Sequence, residues 1–275
     1  MDARCGRRVA GPHKVRPTAA WLIPSIACAL VAVALVSAGA QQTTKANVPD
    51  ITGSWDRYRS APRPAGGAQT PDPYSPPQAP PPPLRPQYLK ERQAALQAAR
   101  EADAKGQPVA TGNVQCLPDG MPAMMGGPFP LEILQSKGQV TVIEEAYTQV
   151  RRIFLDQPQK AIDDVEPGFY GHSVGHWEGD TLVVDTVGIK ESVRYQSVPH
   201  SKDMRIKERI RLVAPDIVWN EITIEDPVTL EKPWTFTYAH KRMPGYKLLE
   251  YICEDNREYA DEHGVQKIRI GSPNK

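Results

Sequence analysis

From residue 131 onward the chain alternates apolar and polar residues with the period of two expected of strands with one buried face. The runs that carry this pattern are 140–145, 149–155, 170–177, 181–187, 204–213, 217–225, 234–242 and 246–254. Short connections rich in turn formers separate several of them. Glu178-Gly179-Asp180, Ala214-Pro215-Asp216 and Met243-Pro244-Gly245 each suit a hairpin turn. The expected architecture is mainly β, an antiparallel up-and-down meander of about eight strands. Such a meander must cover or close its edges, and closure into a small or incomplete β-barrel does so. A twisted open sheet with a helix over one face is the rival arrangement.

Upstream of this region the pattern changes three times. Residues 50–58 read as a short strand, and Gly53-x-Trp55 resembles the first strand of lipocalin-like barrels, in which a Trp closes one end. Residues 61–88 are rich in proline, which fixes φ and donates no backbone hydrogen bond. This arm should lie extended along the surface or act as a stiff spacer. Residues 89–106 are dominated by Ala, Leu, Gln, Glu, Lys and Arg, and predict one peripheral helix whose apolar face is mostly alanine. Between 114 and 130 glycine, proline and methionine alternate. They form either an adaptable wall for a ligand or a loop packed with Met and pinned at Cys116. The organisation is then an N-terminal leader at 1–40, a strand segment at 41–60, the arm and the helix, a β-rich domain at 107–256, and a tail at 257–275.

The leader carries Arg4, Arg7, Arg8, Lys14 and Arg16, then an Ala/Val/Leu-rich stretch, then Ala38-Gly39-Ala40. That is the pattern of a cleavable signal peptide and predicts a periplasmic or secreted protein, with a single-pass anchor as the alternative. After cleavage no stable membrane span is expected. The cysteines left would be Cys116 and Cys253, which an oxidising compartment would bridge; two buried thiols are the alternative. Lys and Arg total 33 against 32 Asp and Glu in 275 residues, so no strong field argues for a nucleic-acid partner.

Alternation also assigns candidate site residues to faces. Glu208 shares the apolar face of its strand with Ile206, Ile210 and Leu212, where a carboxylate needs a cation or strong hydrogen bonds. Trp234, Phe236, Tyr238 and His240 line one face of another strand as an aromatic wall with a titratable end. In 149–155 either parity turns an arginine inward, Arg151 or Arg152, and Arg152 is carried as the candidate ligand contact. These groups form either a satisfied structural network or the polar anchor of a ligand cavity.

The segment Gly171-His172-Ser173-Val174-Gly175-His176-Trp177-Glu178-Gly179-Asp180 offers three chemistries. Gly-x-Ser-x-Gly matches a nucleophile elbow, but the elbow needs a helix after the serine and a strand follows here. His172 and His176 have a metal-ligand spacing that works on a helix, whereas four residues of strand span about 13 Å. What remains is His172, His176 and Glu178 gathered on one face of a hairpin, a usual setting for acid–base work. His200, in the loop between 187 and 204, is the second candidate histidine. The candidate catalytic set is therefore His172, Glu178, His200 and Glu208, with no organic cofactor and no metal called for.

Taken together, Cys116-Leu117-Pro118-x-Gly120-Met121-Pro122, Arg151-Arg152-Ile153, the 171–186 segment, Pro199-His200-Ser201, Glu208-Arg209, Thr223 to Pro227 with Pro233-Trp234, and Glu250-Tyr251-x-Cys253 resemble a widespread family of secreted bacterial proteins. The resemblance spans residues 50 to 256. It implies export and an intact domain, and brings no catalytic roles with it. This chain departs from the family in two places. It has Asp156-Gln157-Pro158-Gln159-Lys160-Ala161 where relatives often carry Asp-Gly-Arg-x-His-Pro, and His176 where Arg is frequent. The expectation is an exported protein that binds a small, aromatic or apolar organic ligand in a barrel-like cavity. A cofactor-independent hydrolase, lyase or isomerase, and an envelope interaction module using the Pro-rich arm, are the alternatives.

Overall fold

Nine strands close on one another. They are β1 (Gly53–Arg57), β2 (Leu131–Ser136), β3 (Gln139–Glu144), β4 (Gln149–Leu155), β5 (His172–Glu178), β6 (Thr181–Val187), β7 (Arg205–Ala214), β8 (Ile217–Glu225) and β9 (Trp234–Arg242). A computed structural model describes residues 48–59, 72–106 and 116–253, together with β10 (Glu258–Ala260) and β11 (Gln266–Ile268), which pair as a separate small ribbon. The expected signal peptide, part of the Pro-rich arm and most of the tail lie outside the described residues.

The protein is thus mainly β, a closed barrel with, among the described residues, one α-helix, α1 (Pro86–Ala104). Two details differ from the simple meander. Nine alternating strands cannot close with every neighbour antiparallel, so one pair must run parallel. That pair is β4 and β5, with Ile153 opposite Ser173, and residues 156–171 supply the long crossover a parallel pair needs. Of the run at 246–254, the described residues 246–253 form no barrel strand. β1 already pairs with β9, Arg57 opposite His240, so the sheet has no free edge for it. The Met243-Pro244-Gly245 turn accordingly leads into an irregular segment rather than a hairpin.

Strand directions divide the barrel into unlike ends. At one end the connections are tight: Lys137-Gly138, Gly179-Asp180 and Pro215-Asp216 each join two strands. Trp55 is fully buried near this end, its indole nitrogen donating to the Ile51 carbonyl at 3.0 Å and the Arg242 guanidinium lying 4.2 Å over its ring. At the other end, the mouth, β1 ends at Arg57 and β2 begins at Leu131, and the long connections 188–204 and 226–233 run between strands.

The described part of the Pro-rich arm lies extended on the barrel wall. The indole nitrogens of Trp219 and Trp234 donate to the carbonyls of Tyr74 (3.0 Å) and Pro80 (2.9 Å), and Leu84 bridges to Leu230. Proline suits this role, because its carbonyl accepts while its missing N–H leaves no donor stranded. Pro86 then starts α1, at the first helical turn where its missing N–H costs nothing. None of the helix's residues is fully buried, as its alanine face implies; Arg92 and Glu91 reach Gln196 and Arg194 in the 188–204 loop.

Candidate functional site

Inside the barrel, alternation places Glu208 in the lumen with Ile206 and Ile210, while Lys207, Arg209 and Arg211 face outward. Its partner is Arg151, correcting the assignment of Arg152 to the ligand. β3 fixes the parity: Arg151 lies opposite inward Val142 and Arg152 opposite Thr141, so Arg152 is exposed on the outer wall. Arg151 and Glu208 form a fully buried two-pronged pair. Arg151 also donates to the Ser173 hydroxyl (3.1 and 3.2 Å) and to that of Thr186 (2.9 Å), and the Asn220 amide donates to Glu208 at 2.8 Å. Ser173 is therefore a buried strut in this network, and no elbow exposes it. The network meets the hydrogen-bonding need of a buried ion pair from within the wall.

The remaining residues of the 171–180 segment do not assemble a centre. His172 faces outward, its ring stacked on Phe154 at 5.7 Å and its Nδ1 2.9 Å from the Gln159 side chain; burial, then nearby Lys160, lowers its pKa. His176 and Glu178 are exposed near the tight-turn end. Hydrogen bonds from Arg209 and His176 lower the Glu178 pKa. Of the catalytic set, His172 and Glu178 are thus outside the wall, Glu208 inside it and His200 in a mouth loop. Among the described residues, no group of three or more His, Cys, Asp or Glu side chains is arranged to hold a metal.

The mouth does bring groups together. Trp234, Phe236, Tyr238 and His240 follow one another on the lumen face of β9, with ring centroids 4.9 Å apart for Trp234–Phe236 and 5.4 Å for Phe236–Tyr238. Two loops close over this wall. The first begins at Cys116, which is bridged to Cys253, and carries Met121, Met124 and Met125, all buried. Its backbone passes so close that a Cβ on Gly126 would sit 2.1 Å from the Tyr238 ring, and one on Gly127 2.2 Å from the Glu144 carboxyl. Glycine is required at both by close approach. Arg57 bonds to the Gly126 carbonyl while its guanidinium lies 4.2 Å over Tyr238.

The second loop, 188–204, inserts Tyr195. Its ring stacks on Phe236 at 5.3 Å and Trp234 at 5.7 Å, and its hydroxyl meets the Tyr238 hydroxyl. Asp226 anchors the loop's C-terminal part, accepting from the Ser201 backbone and hydroxyl while also capping Val228 and Thr229. Burial opposes this carboxylate, but those donors outweigh it and lower its pKa. His200 acts as a strut, with carbonyls of Val193 and Ser201 at its two ring nitrogens. Between the loops and the wall is an apolar cavity of about 20 Å³, lined by Met121, Val193, Tyr195, His200, Met204 and Trp234 among others. It is large enough for about one water.

Several titratable groups at the mouth depart far from their ordinary values, among them Glu144, Tyr170 and His240. Glu144 is fully buried, and burial, reinforced by the nearby Asp119 charge, pushes its pKa up to about 9. The Gln149 amide donates to its Oε2 at 2.5 Å, and its Oε1 has no partner among the described residues. It is a neutral acid at pH 7. Tyr170, affected first by burial and then by Glu144, is pushed up to about 12. His240 is buried, and burial followed by the Arg57 charge lowers it to about 3 against a bond to the Met125 backbone.

Sequence reasoning named the aromatic wall, His200 and the Met/Gly loop, and missed Glu144 and Tyr195. Glu144 was legible by parity with Val140 and Val142. Tyr195 sits in a polar loop with no periodicity to betray it. Compared with protein-family models the chain matches none, and compared with curated proteins it matches none.

Proposed function

We propose that the protein binds a small aromatic or apolar organic molecule, and that it does so at the mouth rather than deep in the lumen. The observation that carries this reading is the continuous aromatic surface of Trp234, Phe236 and Tyr238, in tilted and edge-to-face contact, which ends beneath two loops and a small apolar cavity. Binding sites commonly combine such a wall with a few placed polar groups. Here the Tyr238 hydroxyl, with Arg57 over its ring, supplies such a group at the end of the wall. The disulfide supports an oxidising, extracytoplasmic setting, as the leader does. No helix among the described residues is long and apolar enough to cross a membrane.

Ligand-observed NMR with toluene, p-cresol, indole and naphthalene tests the reading. Signals should broaden on adding the purified protein. Filling the cavity with Val193→Phe should abolish the effect while the fold is retained. If no probe binds at millimolar concentration, or V193F binds as well as the parent, the mouth is not the site.

One observation favours an enzyme as the second reading. Glu144, neutral at pH 7, sits near Asp119 and Tyr170, and a neutral carboxyl is able to act as a general acid. This moves the chemistry from the set His172, Glu178, His200 and Glu208 to the mouth. Turnover of a bound probe that is lost in Glu144→Gln, with binding retained, would favour it over a pure binder. The Pro-rich arm as a partner's contact has less support, since residues 72–85 are engaged on this protein's own wall.

A further inference from the structure

We propose that the mouth recognises a phenol, and that the Tyr195 side chain occupies the ligand's place until the ligand displaces it. The inference rests on the reading of the mouth as a small-molecule site and names its ligand class.

Tyr195 does not belong to the barrel wall. The aromatic surface of Trp234, Phe236 and Tyr238 is complete on β9, and Tyr195 is laid on it from a loop, ring against ring at 23° to Phe236 and 34° to Trp234. At its polar end the Tyr195 hydroxyl meets that of Tyr238, and the Gln196 amide donates to it at 2.8 Å. A flat ring on an aromatic wall with one hydroxyl at a fixed polar point is the shape and chemistry of a phenol. The receiving group is held rigidly: Gly126 backs the Tyr238 ring and Arg57 lies over it. A ring without a hydroxyl would leave the buried Tyr238 hydroxyl unpaired, and sites of that kind reject such analogues strongly. The adjoining cavity of about 20 Å³ leaves space for a substituent beyond the ring.

The segment that carries Tyr195 is built to release it. Tyr195 and Val198 close a tight turn in which Gln196 and Ser197 have φ of 51° and 58°, a left-handed conformation that non-glycine residues rarely adopt. Backbone strain of this kind collects at ligand clamps and switch segments. The tip is held from outside by Arg92 to the Gln196 carbonyl and by the exposed Glu91–Arg194 pair, contacts that are weak individually. Moving the tip outward therefore exchanges one phenol for another on the wall and breaks only surface contacts to α1.

Calorimetric titration of p-cresol and toluene into the parent, Tyr195→Ala and Tyr195→Phe tests this. Y195A, with nothing to displace, should bind p-cresol at least tenfold tighter than the parent and toluene at least tenfold more weakly than p-cresol. Y195F keeps the ring but loses the hydroxyl contact, so it should bind p-cresol several-fold tighter than the parent. If Y195A binds both probes equally, the phenol assignment falls while the mouth stands as an apolar site. If the parent and both variants bind p-cresol equally, Tyr195 does not hold the ligand's place. If no protein binds either probe, the reading of the mouth falls as well. Should Y195A not fold, Y195F decides: affinity no higher than the parent's overturns the displacement.

Discussion

Replacing Glu144 by Gln should stabilise the protein at neutral and alkaline pH. The folded pKa of this carboxyl is about 9 against an ordinary 4.5, so between those values the folded state holds a proton the unfolded chain has released. Its contribution is fully present below pH 4.5 and is lost as pH rises towards 9, at up to about 1.4 kcal/mol per pH unit. By pH 7 the loss is roughly 3 kcal/mol, a large part of the 5–15 kcal/mol that typically separates folded from unfolded domains. Gln is nearly isosteric. Its carbonyl takes the Gln149 amide at the Oε2 position, and its amide takes the place of the protonated Oε1 beside Gly127. His240 acts with the opposite sign: its pKa falls from 6.5 to about 3, so its contribution is present above 6.5 and is lost as pH falls. The two slopes oppose each other between about pH 4.5 and 6.5, which predicts a plateau there with losses on either side. The assay is urea unfolding of the parent, E144Q and His240→Gln from pH 4 to 9. E144Q should flatten the alkaline limb and H240Q the acid one. A parent midpoint that holds steady from pH 6.5 to 8.5, or an E144Q less stable than the parent at pH 8, would refute the reasoning.

Three further perturbations probe the frame of the site. Glu208→Leu alone should cost about 3–5 kcal/mol by leaving Arg151 buried and unpaired, and adding Arg151→Met should recover much of it; urea midpoints of single and double variants check this. Reducing Cys116–Cys253, or replacing Cys253 by Ala, should lower stability by about 2–5 kcal/mol, read as a fall in thermal midpoint, because the bridge closes a loop with a sequence separation of 137. Gly126→Ala should cost about 1–3 kcal/mol as its Cβ meets the Tyr238 ring, whereas Gly138→Asn, in an open turn with φ of 79°, should change the midpoint little.

Most of the wall could be read from the chain because its residues obey a local rule. In β7 from Ile206 to Ile210, and in β9 from Trp234 to Tyr238, the buried residues fall at every second position, and no distant information is needed to see it. The errors arise where the answer is non-local. The 246–254 run has enough apolar residues for a strand, but whether it pairs depends on β1, almost two hundred residues earlier, having taken the edge of β9. Leu249 is left 66% exposed as a result. β2 went unnamed because it is short and follows a stretch full of proline and glycine. The choice between Arg151 and Arg152 is symmetric within β4 and is settled only by register against β3. Tyr195 belongs to the same class of problem, since its burial is decided by a wall contributed from β9.

The mouth's two loops are anchored differently, and this determines how it can open. The 116–130 loop is tied covalently at Cys116, and its backbone is fitted against Tyr238, Glu144, Arg57 and the Met125–His240 contact, so displacing it would break several buried contacts at once. It is best regarded as a fixed wall, which also explains why glycine stands where the backbone touches the side chains. The 188–204 loop is fixed at both ends, at its start by backbone bonds of Gly168 with Gly188 and Lys190 and in its C-terminal part through Asp226 and His200. Its tip rests on the Phe236 and Trp234 rings, a hydroxyl pair and surface contacts to α1. Any entry to the aromatic wall therefore costs least on the Tyr195 side. It also moves the contacts made by the first turns of α1, giving the helix that follows the Pro-rich arm a physical connection to the state of the mouth.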